Sequence, residues 1–494
     1  MPLRVRYGAR SAIIYLFFTM KKFYITTPIY YVNDKPHIGH LYTTIAADVL
    51  ARYYRQKEYD VFFLTGTDEH GAKVAESAAK AGMEPQAFAD KNSELFKAAF
   101  KNLNISNDYF IRTTDLRHEE SVKKLMQKLF DQGDIYEGVY EGLYCVGCEK
   151  FLTEKELVDG KCPLHKVPPQ KLKEKNYFFK LKKYLPEIKK IIEKGKIKIA
   201  PAGRKKEVLG LFKQELEDFS VSREKVSWGI PLPFDAKQKT YVWVEALQNY
   251  ISAIGYGDNE KDFKKWWPAD VHLMARDILK FHCLYWPALL LAAGLAMPKK
   301  IFLHGFFTIN GEKMSKSVGN VIDPNEIKEK FGAEAARYLL LSQFPFGQDG
   351  DIKEDLFAEK YNSDLANNLG NLVSRVLNMI EKYCDGKIPQ TVANPILLDE
   401  PGELIGDLEF DKALKSIMAS IDQANHLIDG QKPWVLAKDA AKKPQLDAVL
   451  SQLAAFLYEL SGVINPFMPG TAEKIVGSLA QAKIEKGEPL FKRI

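Results

Sequence analysis

The feature that most constrains the fold is an alternation of strand-like and helix-like segments that begins at Phe23. Residues 23–31 are mostly β-branched or aromatic and stop at the turn 33–36, whereas residues 38–56 place apolar side chains at helical spacing. Further strand-like segments occupy 61–65 and 109–113, with helical segments between them. This order predicts a parallel α/β sheet.

The alternation stops near Gly133 and resumes after residue 220. The intervening segment is rich in glycine, lysine and turn residues and contains three of the five cysteines. Strand-like segments return at 241–245, 271–274 and 300–308. We therefore expect a Rossmann-type, doubly wound parallel sheet that an insertion divides into two halves.

The sequence after Gly347 predicts helices to its end. Apolar residues recur there at helical spacing in two series, Leu365, Leu369, Leu372, Val376 and Met379, and Leu446, Leu450, Leu453, Leu457 and Leu460. These series favour a C-terminal α-helical bundle. The predicted units are an N-terminal extension (1–19), the first half of the sheet domain (20–133), the insertion (134–220), the second half (221–309), a loop and linking region (310–355) and the bundle (356–494).

Residues 1–19 carry three arginines, no acidic residue and a short apolar run. Two interpretations stay open: a targeting segment, or translation from a start codon upstream of the natural one at Met20. The strand-like run that follows Met20 directly favours the second. The extension is left out of the fold prediction.

Composition excludes several classes of protein. With 46% hydrophobic and 27% charged residues in 494, the chain has the balance of a globular protein of several domains. The longest mostly apolar stretch, 284–297, is interrupted by Pro287 and is shorter than the roughly 18 residues of a membrane-spanning helix. We expect a cytoplasmic protein without a membrane partner. The formal net charge of +6 is compatible with a nucleic-acid partner.

Two short motifs carry the strongest chemical signal. His37-Ile38-Gly39-His40 lies between the first strand and the first helix, where helix N–H groups and a bare glycine backbone favour a phosphate or purine. Lys313-Met314-Ser315-Lys316-Ser317 follows the turn at 310–311 and suits a mobile clamp on pyrophosphate. Neither a Walker loop nor a Gly-x-Gly-x-x-Gly run occurs, which disfavours a Walker ATPase and a dinucleotide oxidoreductase.

The insertion contains a predicted metal site. Cys145-x-x-Cys148 and Cys162-x-x-His165 are two pairs separated by 13 residues, and each pair includes a turn-forming residue. Four soft ligands at this spacing are typical of a structural zinc ion, Zn²⁺. Cys283 and Cys384 lie outside the pattern.

Both chemical motifs together are the signature of the class I aminoacyl-tRNA synthetases, and the sequence from Met20 onward resembles the methionyl family among them. The resemblance is carried by residues 27–33 (TPIYYVN), 65–71 (TGTDEHG), 228–231 (WGIP), 241–243 (YVW), 364–375 (DLANNLGNLVSR) and 433–434 (PW). It implies a methionine–tRNA ligase that forms methionyl-adenylate from ATP and L-methionine and then charges tRNA(Met), both initiator and elongator.

The resemblance also implies roles for the two motifs. His37 and His40 would contact the transferring phosphate, Lys313 and Lys316 the β- and γ-phosphates, and all four are the expected catalytic residues. Gly39 and Asp277 would complete the ATP site, with Mg²⁺ as the counterion of ATP.

The implied methionine site combines an apolar, aromatic slot with one carboxylate for the α-ammonium group. Its expected residues are Ile29, Tyr31, Asp68, Trp243, Ala246, Leu247, Tyr250, Ile278, Phe281, His282 and Trp286. Two departures stand out: Ala275 and Arg276 replace a usual Gly-Lys pair before Asp277, and Glu245 replaces a usual aspartate.

The implied anticodon site lies in the bundle. Asn367, Asn371 and Arg375 fall at i, i+4 and i+8, and Trp434 follows a proline at a helix start. Amides, a guanidinium and an indole suit unstacked RNA bases. A monomer is expected because no appended oligonucleotide-binding domain follows the bundle. Two rivals remain: a non-catalytic tRNA-binding relative, and a nucleotidyltransferase for a different acid.

Overall fold

A computed structural model describes residues 20–313, 322–391, 396, 398 and 401–494. The extension 1–19 lies outside these residues. The strands are β1 Lys22–Tyr31, β2 Asp60–Asp68, β3 Tyr109–Arg112, β4 Ile135–Cys145, β5 Lys150–Leu152, β6 Gln170–Phe179, β7 Lys198–Ala200, β8 Phe219–Ser220, β9 Ser222–Arg223, β10 Pro231–Leu232, β11 Asp235–Thr240, β12 Val271–Ala275, β13 Lys300–His304, β14 Phe307–Ile309, β15 Glu312–Lys313 and β16 Gly350–Ile352.

The α-helices follow the same chain order. They are α1 Ile38–Gln56, α2 Ala72–Lys80, α3 Pro85–Asn102, α4 Leu116–Asp131, α5 Leu181–Glu193, α6 Ala202–Leu211, α7 Val242–Leu247, α8 Asn249–Ser252, α9 Glu260–Trp266, α10 Trp286–Ala292, α11 Pro324–Phe331, α12 Ala333–Ser342, α13 Glu354–Lys360, α14 Asn371–Tyr383, α15 Gly402–Gly406, α16 Phe410–Gln431, α17 Pro433–Leu436, α18 Lys443–Ile464 and α19 Pro469–Leu479. Short 3₁₀ turns occupy Glu154–Glu156, Arg276–Ile278 and Ala440–Lys442, and π-helical segments occupy Phe281–Tyr285 and Tyr361–Gly370.

The central sheet is six-stranded and parallel, in the order β3-β2-β1-β12-β13-β7. The chain runs outward from β1 to β3, and after the insertion it starts again at β12 and runs outward on the other side. The strand order therefore reverses between β1 and β12. In a doubly wound sheet, ligands bind outside the carboxyl ends of the strands at this reversal. The predicted fold class is confirmed.

Two strand predictions in the second half of the sheet domain are wrong. Residues 241–245 are mostly β-branched or aromatic, yet Val242–Leu247 forms helix α7, because its side chains are buried in the core around the cleft. The predicted strand 300–308 is two strands in different sheets. A Cβ at Gly305 would lie 2.3 Å from the Gln348 backbone, so this close approach separates β13 from β14.

The insertion forms an antiparallel sheet in the order β5-β4-β6-β8. Strands β4 and β6 pair along most of their length, from Ile135↔Phe179 to Tyr144↔Gln170. The two Cys/His pairs that are predicted to bind a metal lie at the end of this ribbon. Strand β7 lies inside the range 134–220 but pairs with β13 as an edge strand of the central sheet.

The C-terminal region is the predicted helical bundle. Both apolar series are buried, and those of α18 form its core. One stretch, Ala440–Ile464, is long and apolar enough to cross a membrane, but half of its apolar window is buried inside the protein, as in the core helix of a bundle.

A buried ion pair docks the bundle on helix α1. Arg337 of α12 and Asp48 of α1 are both fully buried and lie 2.7 Å apart. Arg337 also donates to the carbonyl oxygens of Leu103, Pro466 and Phe467, at 2.7 to 3.1 Å. Asp48 and Leu103 belong to the first half of the sheet domain, whereas Pro466 and Phe467 lie in the α18–α19 loop of the bundle. The bonds of Arg337 therefore fix the bundle relative to the sheet domain.

Candidate active site

A cleft of about 1100 Å³ opens at the strand-order reversal. Most of the predicted ATP and methionine residues line it: His37, Gly39, His40, Asp277, Ile29, Tyr31, Asp68, Trp243, Ala246, Leu247, Tyr250, Ile278 and His282. Residues more than 200 positions apart therefore meet in one cavity. Such a cleft, with an apolar wall and a few polar groups, is typical of a small-molecule site.

His37 and His40 cap helix α1 reciprocally. His37 is the N-cap, and its Nδ1 accepts a hydrogen bond from the Gly39 N–H at 3.1 Å, while His40 Nδ1 accepts from the His37 N–H at 3.1 Å. The two rings stack with centroids 3.7 Å apart. This is a capping box built from two imidazoles in place of a hydroxyl and a carboxylate.

The cap fixes the tautomer of both rings. A backbone N–H can donate only to an unprotonated nitrogen, so each neutral ring carries its proton on Nε2. Burial lowers the pKa of His37 to about 4 and that of His40 well below its ordinary value. Near neutral pH the cleft therefore presents two uncharged Nε2–H donors beside the N-terminus of α1.

His304 and Thr43 are cleft residues that the sequence analysis missed. His304 ends β13, and its Nε2 lies 2.7 Å from the Thr43 hydroxyl, one turn after His40. Its Nδ1 lies 2.8 Å from the Gly305 carbonyl oxygen. His304 therefore carries its proton on Nδ1 and ties the end of β13 to α1. The predicted strand ran on to residue 308, so the sequence analysis did not place His304 at the carboxyl end of a strand, where ligands bind.

Asp68 presents an unsatisfied carboxylate to the cleft. Its Oδ1 and the Tyr31 hydroxyl are buried and have no hydrogen-bond partner among the described residues. Burial, together with the carboxylates of Glu245, Glu149 and Glu69, raises the pKa of Asp68 well above its ordinary range. A bound cation would stabilise the ionised form of such a buried acid, because it supplies both an opposite charge and hydrogen-bond donors.

The apolar wall of the cleft has two layers. Trp243 faces the cavity and stacks on Phe281, with ring centroids 4.0 Å apart. The Tyr250 hydroxyl donates to His282 Nε2 at 2.8 Å, since His282 Nδ1 donates to the Ile278 carbonyl at 3.0 Å. Two predicted contacts, Phe281 and Trp286, are absent from the cavity lining and pack behind the residues that form it.

Arg276 is held at the mouth of the cleft. Its Nη1 lies 2.7 Å from Asp349, and its guanidinium stacks over the Phe306 ring at 4.6 Å. All three line the cleft. The substitution for the usual lysine is therefore accommodated by a carboxylate and an aromatic face, both of which suit a planar guanidinium. Asp277, next in sequence, also lines the cleft.

The four predicted metal ligands converge. One ligand atom from each of Cys145, Cys148, Cys162 and His165 lies within 4.8 Å of all the others. Two edges are 3.8 Å (Cys145 to His165) and 3.9 Å (Cys148 to Cys162). A Cβ at Gly147 would lie 2.6 Å from the His165 ring, so only glycine allows this approach. The cluster can bind a metal ion.

The lysines of the second motif are described only in part. The β14–β15 pairing places the Lys313 backbone opposite Thr308, which lines the cleft. Lys316 lies outside the described residues. The described part of the hairpin therefore ends beside a residue that lines the cleft.

The predicted anticodon residues lie on the bundle surface. Asn367 and Asn371 are exposed, and Trp434 is 40% exposed on α17. Arg375 pairs with Asp429 at 2.5 Å. Asn367 lies in a π-helical segment, so the rotation of the helix between Asn367 and Asn371 differs from that of a regular α-helix.

The comparisons with known proteins agree with this geometry. The family model described as tRNA synthetases class I (M) matches residues 23–171 and 154–377. The methionine–tRNA ligase of Caldanaerobacter subterraneus is 46% identical over 96% of this chain and 79% of the relative. The corresponding enzyme of Thermotoga maritima is 43% identical over 96% of this chain and 80% of the relative.

The chain belongs to the methionyl-tRNA synthetase family. A solved structure of the Mycobacterium tuberculosis methionyl-tRNA synthetase in complex with methionyl-adenylate superposes with a TM-score of 0.89 at 40% identity, covering 94% of each chain. A second structure of that synthetase, also bound by methionyl-adenylate, superposes with a TM-score of 0.90 at 37% identity and covers 96% of this chain and all of the other. Family membership thus covers both the sheet domain and the bundle.

Proposed function

We propose that this protein is a methionine–tRNA ligase, which activates L-methionine with ATP and transfers the methionyl group to the terminal ribose of tRNA(Met) for initiation and elongation. One observation carries the proposal. The imidazoles of His37 and His40 line the same cleft as the carboxylate of Asp68, whose Oδ1 has no hydrogen-bond partner among the described residues. An aminoacyl-adenylate needs this combination, since it joins a phosphate to an amino acid whose α-ammonium group stays free.

In the first step, a carboxylate oxygen of methionine attacks the α-phosphorus of ATP. The new O–P bond forms as the bond to the bridging oxygen breaks, and pyrophosphate leaves with that electron pair. No proton needs to move, because the nucleophile is already an anion. Catalysis therefore rests on alignment and on donors aimed at the phosphate. The Nε2–H groups of His37 and His40 supply such donors, and they are held in place before substrate binds.

The amino acid is held at its two ends. Asp68 accepts the α-ammonium group, and the Tyr31 hydroxyl lies beside it. The thioether contacts the wall formed by Ile29, Trp243, Ala246, Leu247, Tyr250, Ile278 and His282, where sulfur gains from aromatic edges. Phe281 and Trp286 keep this wall rigid from behind. Because the pocket has no charge at that end, it favours an uncharged side chain over lysine or glutamate.

ATP contacts come from both halves of the sheet domain. Gly39 lets the nucleotide lie against the start of α1, and Asp277 suits the ribose hydroxyls. Lys313 and Lys316 are proposed for the β- and γ-phosphates, with Mg²⁺ as the counterion of ATP.

The metal in the insertion is proposed to be a structural Zn²⁺. A tetrahedral ion with Zn–S bonds of about 2.3 Å needs S···S edges of roughly 3.8 Å, and the Cys148–Cys162 edge is 3.9 Å. Three thiolates and one imidazole fill all four positions. The ion would therefore order the insertion and leave no open site for chemistry.

The tRNA is proposed to contact the bundle through its anticodon. The exposed face of Trp434 offers a stacking surface, and Asn367, Asn371 and Arg375 offer polar groups to base edges. We further propose a cytoplasmic monomer.

The test is ATP–pyrophosphate exchange measured with each of the 20 amino acids, followed by charging of tRNA(Met). Exchange with methionine, and charging of tRNA(Met), are expected. Exchange with a different acid alone would identify another nucleotidyltransferase. tRNA binding without exchange would identify a non-catalytic relative.

A further inference from the structure

A short segment at one edge of the central sheet carries more than the whole net charge of the protein. Residues 180–207 contain eleven lysines and arginines against three glutamates, a formal net charge of +8. The whole chain carries +6, so the remaining residues carry −2. The segment comprises α5, the edge strand β7 and α6. A concentration of this kind marks a surface for a polyanion.

The lysines near β7 are available to a partner. Lys194, Lys196 and Lys206 are exposed, and no carboxylate of the described residues lies within 4 Å of their amino groups. Lys205 donates to the Glu193 carbonyl at 3.4 Å, which places α6 beside the end of α5. Lys183, at the far end of α5, differs because it pairs with Asp134. The free charge is therefore concentrated around β7.

Two contacts flank this basic surface (Lys194, Lys196 and Lys206), one toward the cleft and one toward the bundle. Toward the cleft, Arg204 of α6 lies 3.9 Å from Asp349, which lines the cavity. Toward the bundle, Lys198 of β7 lies 4.0 Å from Asp407. A tRNA with its 3′ end in the cleft and its anticodon on the bundle must bring phosphates past the sheet domain between them.

We infer that the basic surface binds phosphates of the tRNA acceptor arm. The inference rests on the proposed function and adds a contact that does not depend on base identity. Lysine contacts to phosphates release counterions, so they strengthen binding most at low salt. They position the RNA without reading its sequence. Initiator and elongator tRNAs would be held equally.

The experiment is a triple variant, Lys194→Gln, Lys196→Gln and Lys206→Gln, in the full chain. Its matched control neutralises three exposed lysines that are held in ion pairs elsewhere: Lys173→Gln, Lys264→Gln and Lys412→Gln. Both variants lose three positive charges, so a difference in tRNA affinity between them depends on where the charges are lost and not on the net charge. ATP–pyrophosphate exchange is expected to stay at the wild-type rate in both, because that step needs no tRNA.

The readout is the dissociation constant of tRNA(Met) as a function of salt. The triple variant should bind roughly 10- to 100-fold more weakly at 0.15 M salt, and its log K against log salt slope should fall by about 0.7–0.9 for each lost contact. The control should match the wild type. Wild-type affinity and slope in the triple variant would overturn the inference while leaving the proposed function standing.

A minihelix that contains only the acceptor arm locates the contact. At low salt it should lose affinity by the same factor as the full tRNA. A loss confined to the full tRNA would refute the placement on the acceptor arm. A wild-type protein that charges no tRNA at all would instead refute the proposed function.

Discussion

The indole Nε1 of Trp243 donates a hydrogen bond of 3.2 Å to the carbonyl oxygen of Cys148. One residue lines the cleft, and the other belongs to the Cys/His cluster of the insertion that can bind a metal ion. The next residue, Glu149, accepts from the Lys73 N–H at 2.7 Å and caps helix α2, while its carbonyl accepts from Tyr241. These contacts connect the Cys/His cluster directly to the cleft that is proposed to bind methionine.

Loss of the metal is expected to damage the pocket as well as the insertion. A structural metal contributes its binding energy to folding. Cys145→Ala should lose the metal by elemental analysis and expose the amides of 143–152 to hydrogen exchange. The KM for methionine should rise because Trp243 loses its acceptor. Cys384→Ala, outside the cluster, is the control. Metal-free wild-type protein with full methionine affinity would contradict this coupling.

The two roles of His37 can be separated by substitution. Asparagine keeps an acceptor near the position of Nδ1 and is a good N-cap, but it has no donor at the Nε2 position. His37→Asn should therefore slow adenylate formation about 10²-fold or more while leaving the melting temperature near the wild-type value. His37→Ala should slow adenylate formation and also lower the melting temperature, because alanine supplies neither the donor nor the cap acceptor. Pyrophosphate exchange at the wild-type rate in His37→Asn would remove this residue from the mechanism.

Replacement of the Asp68 carboxylate is expected to stabilise the protein and to weaken its binding of methionine. This carboxylate is buried near other carboxylates, and its Oδ1 has no hydrogen-bond partner in the described part of the chain, so a neutral isostere removes an unfavourable charge. Asp68→Asn should raise the melting temperature and raise the KM for methionine by roughly 10²-fold, since a charge-assisted hydrogen bond is lost. Thermal melts and exchange kinetics on the same preparation measure both. A lower melting temperature with unchanged KM would show a purely structural role.

The sequence predicted what local spacing determines and missed what long-range contact determines. Helix α1 begins and ends at the predicted residues because its cap and its apolar face lie in one segment. The Cys/His pairs were found for the same reason. The Thr43–His304 and Arg276–Asp349 contacts were not predicted, because no local sequence pattern identifies a partner that is 70 or more residues away. Helix α7 was missed because burial overrode the strand propensity of its residues.

Strand β7 shows the same limit in the domain assignment. Three residues with one buried side chain carry no clear periodicity, and only the parallel register with β13 reveals that they extend the central sheet. Most of the residues that the resemblance assigned to methionine binding line the cleft. Phe281 and Trp286 show that resemblance alone does not separate a wall of the cavity from its support.

Acid is expected to destabilise the protein through its buried histidines. Burial lowers the pKa of His118 to about 3, against about 6.5 when unfolded. Between these two pH values the unfolded chain binds a proton at His118 that the folded chain does not bind. The contribution of His118 to the free energy of unfolding is therefore complete above about pH 6.5. It falls by about 1.4 kcal/mol for each unit that the pH decreases below this value.

His118→Asn should reduce this pH dependence. Asparagine can keep the hydrogen bond that His118 Nδ1 shares with Ser252 at 2.8 Å, but it does not titrate. Urea midpoints between pH 4 and 7 should vary less in this variant than in the wild type. His426→Asn, at an exposed position, is the control. Identical pH profiles for all three proteins would show that His118 is not a source of acid sensitivity.

Trp434 separates tRNA binding from adenylate formation. The indole is 40% exposed on α17, whereas the neighbouring Leu436 is buried in the bundle core. Trp434→Ala should leave pyrophosphate exchange and the melting temperature unchanged. A lost stacking surface costs about 1–3 kcal/mol per base, so tRNA binding should weaken roughly 5- to 150-fold, with less discrimination against altered anticodons. Leu436→Ala is the structural comparison, and it should lower the melting temperature and damage both steps. If Trp434→Ala behaves like Leu436→Ala, with equal losses in exchange and aminoacylation, the indole belongs to the core and the anticodon contact lies elsewhere on the bundle.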